Sequence, residues 1–175
     1  MINPNRILNG LALAGLLLAA SPLAADPGST GAGQGICDCP DGIELEGRPW
    51  VRLMPPTMSS TAAYLSLRNT TDGDKEIVAG ESSVAAATEL HDHIQDEQGV
   101  MRMRQVESIT IPANGRVDLQ PGGLHVMLID LQEPLEEGAQ VPLRLDLENG
   151  DKLHLRAEVR RAQRPSAGAH HHHDH

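Results

Sequence analysis

Residues 89–127 concentrate side chains that can hold a soft metal ion. The stretch opens Glu89-Leu90-His91-Asp92-His93 and continues through Gly99-Val100-Met101-Arg102-Met103-Arg104. It closes with Pro121-Gly122-Gly123-Leu124-His125-Val126-Met127. His125 and Met127 are two apart in a run that continues Leu128-Ile129-Asp130-Leu131. Residues two apart in a strand share a face, so an imidazole and a thioether lie side by side. Met101 and Met103 repeat the spacing in a second segment. If the three segments meet at one end of a β-fold, His91, Met103, His125 and Met127 converge. Thioethers are soft and neutral; they suit Cu(I) and bind Zn, Mg or Ca poorly, whereas imidazole suits several metals. Two Met and two His therefore select Cu(I) by ligand type. A thioether also cannot oxidise to a disulfide, as a thiolate pair does outside the cytosol. A single Met is ordinary core filler, and it is the pattern of four that points to a metal.

The elements that must position these groups read as short strands. Alternation of apolar and polar residues predicts strands at 43–46, 50–54, 62–69, 76–79, 85–91 and 100–106. Further strands are predicted at 108–111, 116–119, 125–131, 141–147 and 153–159. Turn residues at Asn69 to Asp74, Asn114-Gly115, Pro121-Gly122-Gly123 and Asn149-Gly150-Asp151 separate them. Such spacing predicts an all-β antiparallel sandwich or barrel in one domain. The chain has one Trp, one Tyr and no Phe, so its core must be aliphatic. Asn69-Thr70-Thr71 matches a glycosylation sequon. His154, between Leu153 and Leu155, is expected to face solvent.

The spacing of the four residues resembles the signature of the periplasmic copper chaperones called PCu(A)C. His91 is followed by Asp92, ten residues (93–102), Met103, twenty-one residues (104–124) and His125-Val126-Met127. Asp92 stands where the family often has Met. Gly99-Val100-Met101, Ile111-Pro112-Ala113 and Pro121-Gly122-Gly123-Leu124-His125-Val126-Met127-Leu128 also look like the family. The resemblance covers roughly residues 43–160. It implies a cupredoxin-like Greek-key antiparallel β-sandwich that holds Cu(I) without catalysis. It further implies delivery to a CuA-bearing oxidase subunit, often together with a thioredoxin-like copper protein.

The flanks are read separately. Residues 1–25 have the pattern of a secretory signal peptide, with Arg6 before an apolar run at 8–20. That places the mature protein in the periplasm with no membrane segment. No lipobox precedes Cys37, since Gln34-Gly35-Ile36 stand there. Residues 26–42, rich in Gly, Ser and Pro, are expected to be a flexible arm. Its Cys37-Asp38-Cys39 is equally compatible with a local disulfide or an accessory copper role. Residues 161–175 read as a tail ending His170-His171-His172-His173-Asp174-His175, a composition that binds Cu(II), Ni(II) or Zn(II) with little selectivity and suits capture of Cu(II). His93 and Met101 are further accessory metal candidates, and Met54 and Met58 are candidates for an apolar rim around the site.

A formal net charge of −10 argues against nucleic acid and anionic lipid as partners. No Ser-His-Asp or paired-carboxylate arrangement marks a hydrolase. Blue-copper electron carriers need a Cys thiolate ligand, and the only cysteines sit upstream in the arm. A copper-sequestering buffer without a dedicated acceptor would carry the same residues as a chaperone.

Overall fold

The computed structural model describes residues 36–162. Among them there are eleven strands and no helix. They are β1 (Cys37–Asp38), β2 (Ile43–Arg52), β3 (Thr61–Asn69), β4 (Lys75–Glu81), β5 (Ala85–Gln95) and β6 (Met101–Gln105). Then follow β7 (Ile109–Ile111), β8 (Arg116–Leu119), β9 (His125–Leu131), β10 (Gln140–Leu147) and β11 (Lys152–Arg160). The hydrogen-bonded order is β6-β5-β9-β3-β2-β11-β10-β4-β7, with β8 added to β3 and β1 to β11. All pairings are antiparallel except β11 with β2, which run parallel over Glu158–Arg160 and Trp50–Arg52.

The sheet folds back on itself, with β4 alongside β5 and β7 against β3 and β8. The enclosed layer is aliphatic, as the composition required. Leu67, Ile77, Val126, Leu128, Leu145 and Leu153 are completely buried. Each sits in a strand whose alternate residues are more exposed, so a period of two sorts the side chains between core and surface.

Three local features differ from the sequence expectation. The two strands expected at 43–46 and 50–54 are one strand, kinked by an irregularity between Glu46 and Trp50 where Gly47 takes φ 71°. β5 continues past His91 to Gln95, because the hairpin to β6 pairs these residues. Cys37–Asp38, expected in the arm, pair with Leu155 and His154 of β11. Asn69, the sequon residue, is fully buried and hydrogen-bonded, so its amide is not offered to a glycan.

Candidate metal centre

The β6-β5-β9 ribbon carries the site on the face opposite its core side. Leu90, Val126 and Leu128 point into the core. Their neighbours along each strand point the other way. Register fixes which of those meet: His91 lies opposite His125, His93 opposite Met103, Gln95 opposite Met101, and Glu89 opposite Met127. Directly paired residues of antiparallel strands share a face. One face therefore gathers three imidazoles and three thioethers from segments far apart in the chain.

The imidazole of His125 is the centre of this cluster. It is only 2% exposed, although it lies outside the hydrophobic core. Its Nε2 is 3.1 Å from Met103 Sδ. Ring centroids of His93 and His91 are 5.0 Å and 5.8 Å from it. The Tyr64 ring is 6.3 Å away and stacks at 4.5 Å on Trp50, which carries the Arg160 guanidinium at 4.9 Å. The chain's only two aromatic residues thus back the site, a placement the near-absence of aromatics gave no reason to expect. Burial pushes the pKa of His125 below its ordinary value, and His93 and His91 add to this. Its bond to Gly123 and the charge of Asp92 act in the opposite direction. Burial thus favours the neutral ring, the form that can bind a metal.

Two turns aim these groups. Gln120 N–H donates to Leu124 O at 2.8 Å and Gly123 N–H to Gln120 O at 3.1 Å, around Gly122 at φ 87°. This tight turn directs the Gly123 carbonyl at His125 Nδ1, 2.8 Å away. The same carbonyl lies 3.4 Å from His93 Nδ1. At the other end, Asp96 closes the β5–β6 hairpin by accepting from Gln98 N, Val100 N and Arg102 Nε, with Gly99 at φ 80°. The Arg102 bond, then the backbone donors, hold the Asp96 carboxyl below its ordinary pKa.

The structure brings His91, Met103 and His125 together and places Met127 on the same face one pair further along. His93 joins the group because β5 extends beyond its expected end. Met101 and Met103 are 54% and 47% exposed, so the cluster opens to solvent on the β6 side. Among the described residues, no group of three or more His, Cys, Asp or Glu side chains is arranged to hold a metal ion. A metal bound here would draw on the thioethers. Cys37 and Cys39 are joined in a disulfide on β1 and its exit, so neither sulfur is a thiolate in this state. Their strand neighbour is β11, not the β6-β5-β9 ribbon. His170, His171, His172, His173 and His175 lie outside the described residues, as does the expected signal peptide. No helix of the described residues is long and apolar enough to cross a membrane.

The LpqE-like family model, whose description is of lipoproteins, matches residues 47–159. The Leifsonia xyli protein Lxx21020 is 33% identical over 111 residues, covering 63% of this chain and 64% of that relative. Among solved structures, the apo PCuAC domain of PmoF1 matches with a TM-score of 0.60 at 20% identity, covering 71% of this chain and 98% of that one. The Cu(I) form of DR1885 from Deinococcus radiodurans matches with a TM-score of 0.56 at 30% identity, covering 71% of this chain and 81% of that one. The chain belongs to the LpqE-like family and carries the cupredoxin-like β fold of the PCuAC domains.

Proposed function

We propose that the protein is an exported copper carrier that binds Cu(I) through His91, Met103, His125 and Met127 and hands it to a respiratory oxidase. The observation that carries this reading is the approach of His125 Nε2 to Met103 Sδ at 3.1 Å, from residues 22 apart in the chain. An imidazole nitrogen and a thioether sulfur at this spacing, beside a second imidazole, form a donor set suited to a soft monovalent ion. Similarity to DR1885, whose structure was solved with Cu(I), supports copper as the cargo.

Exposure of the thioether side suits transfer. An acceptor's ligands can enter from the β6 side while the buried imidazole of His125 still holds the ion. The neutral state of His125 removes the proton that would compete with copper. The CuA centre of an oxidase, reached directly or through a thioredoxin-like copper protein, is the acceptor class that the sequence signature implies. The leader at residues 1–25 supports export to the periplasm, and the histidines at 170–173 and 175 are assigned to auxiliary Cu(II) capture.

The test is a copper titration under reducing conditions, against a competing chelator. Combined His125→Ala and Met127→Ala substitution is expected to abolish tight Cu(I) binding while the β-sheet circular dichroism stays unchanged. Unchanged affinity in that variant refutes the site. Normal oxidase activity in a deletion strain at low copper would instead support a buffer without a dedicated acceptor.

A further inference from the structure

The two imidazoles of the proposed ligand set are held in opposite ways. His125 Nδ1 faces the carbonyl of Gly123, two residues back, at 2.8 Å. A carbonyl only accepts, so Nδ1 carries the proton and Nε2 keeps its lone pair, turned to Met103 Sδ. His91 also bonds a group two residues back, but that group is the Glu89 carboxylate, 2.8 Å from Nε2. An ionised carboxylate likewise only accepts. Here Nε2 must carry the proton, and Nδ1 is the free nitrogen. The contrast has a simple cause: a backbone carbonyl lies near Cβ and is met by the near ring nitrogen, whereas an extended side chain reaches the far one.

His91 Nδ1 is buried and has no hydrogen-bond partner. Leaving such a nitrogen dry and unpaired is costly. Among the described residues the one other buried side-chain polar atom in this state is Arg52 Nε. The His91 ring is 5.8 Å from the His125 ring. Metal–imidazole bonds are about 2 Å long, so a ring separation of 5.8 Å leaves room for one ion between the two imidazoles. Glu89 itself is a poor candidate ligand for Cu(I), because carboxylate oxygens suit hard cations. On the imidazole N–H it fixes the tautomer and makes the opposite nitrogen more basic, as carboxylates do behind metal-bound histidines.

We propose that the two histidines take copper through different nitrogens, His91 through Nδ1 and His125 through Nε2, and that Glu89 is the positioning residue that sets His91 in this orientation. The inference rests on the copper reading above and assigns atoms within it. Glu89 lies opposite Met127 across the β5–β9 pair, so it is also the cross-strand neighbour of a proposed ligand.

The experiment is long-range nitrogen–proton NMR on uniformly ¹⁵N-labelled protein, metal-free and then loaded with Cu(I) under reductant. Metal-free protein is expected to show His91 protonated at Nε2 and His125 protonated at Nδ1, and loading with Cu(I) should leave both protons in place. Glu89→Leu should mix the His91 tautomers and weaken Cu(I) roughly 10–100-fold against a competing chelator. Glu89→Gln, whose amide oxygen still accepts, should restore most of the affinity and the single tautomer. His91 protonated at Nδ1 in the Cu(I) form overturns the proposal, as does Glu89→Leu with tautomer and affinity unchanged. Should Glu89→Leu fail to fold, the wild-type spectra alone decide. Wild-type protein that shows the expected metal-free tautomers but takes up no Cu(I) overturns the copper reading and the ligation with it.

Discussion

Two buried polar clusters in this molecule are built to opposite ends. At the end of β3, Asn69 is completely buried with its bonding capacity used. Its Nδ2 donates to Gly73 O at 2.7 Å and Ile111 O at 3.1 Å, and its Oδ1 accepts from Thr71 N and Oγ1. On the β6-β5-β9 face, His125 is almost as buried, yet its Nε2 meets only a thioether, and the neighbouring His91 Nδ1 meets nothing. Burial without satisfaction costs free energy. Closing one cluster fully and leaving the other open is the contrast expected between a structural turn and the proposed metal site.

The sharpest way to break this contrast is to empty the open cluster. Combined His125→Ala and Met127→Ala should lower Cu(I) affinity by more than the roughly 100-fold that outer-sphere changes cost, with the fold retained. Met103→Leu is subtler, because it keeps size and apolarity and removes only sulfur. It should weaken Cu(I) by about tenfold or more, read by chelator competition, and leave the thermal midpoint nearly unchanged. The converse substitution belongs to the closed cluster. Asn69→Ala strands one backbone donor, Thr71 N, and two backbone acceptors, Gly73 O and Ile111 O, and should cost about 2–3 kcal/mol in denaturant unfolding. Copper affinity of its folded fraction should stay at the wild-type value.

Smaller effects should separate the turn from the side chains it aims. Gly122 sits at φ 87° with open space where a Cβ would go, so Gly122→Ala is strained by its backbone alone. It should cost about 1 kcal/mol in unfolding. Folding stability should also depend on pH through His125. Its folded pKa is lowered from 6.5, chiefly by burial. The unfolded chain therefore takes up the proton first as pH falls. The stability that the neutral ring contributes is present above about pH 6.5 and is lost as pH drops from there toward the lower folded value. Denaturant midpoints at pH 7.5 and 5.5 should differ less in His125→Phe than in the wild-type protein.

Much of this was legible in the chain, and the reasons are physical. Alternation marks strands because the pleat has a period of two, and glycine and asparagine mark turns because they tolerate positive φ. That is why β8 and β9 begin and end where the pattern put them. The convergence of His91, Met103 and His125 followed from spacing and from resemblance to a spaced signature. What stayed hidden depends on pairing across the fold. His93 joins the cluster because the β5–β6 hairpin zips past His91, an extension that local alternation does not report. The parallel β2–β11 pair joins segments more than a hundred residues apart, and no local pattern encodes that. Glu89 carries no signal of its own; its position two before His91 was the available clue. Trp50 and Tyr64 stack behind His125 across three strands, a placement that no local pattern encodes. The cysteines allowed a disulfide or a ligand pair, and the structure shows the disulfide.

X-ray absorption at the copper edge, on protein loaded with one Cu(I) under reductant, reads the proposed sulfur and nitrogen ligands themselves. A first coordination shell containing both sulfur and imidazole nitrogen is expected, with the sulfur contribution reduced in Met103→Leu. A shell of nitrogen and oxygen alone, unchanged by that substitution, would contradict the proposed ligand set.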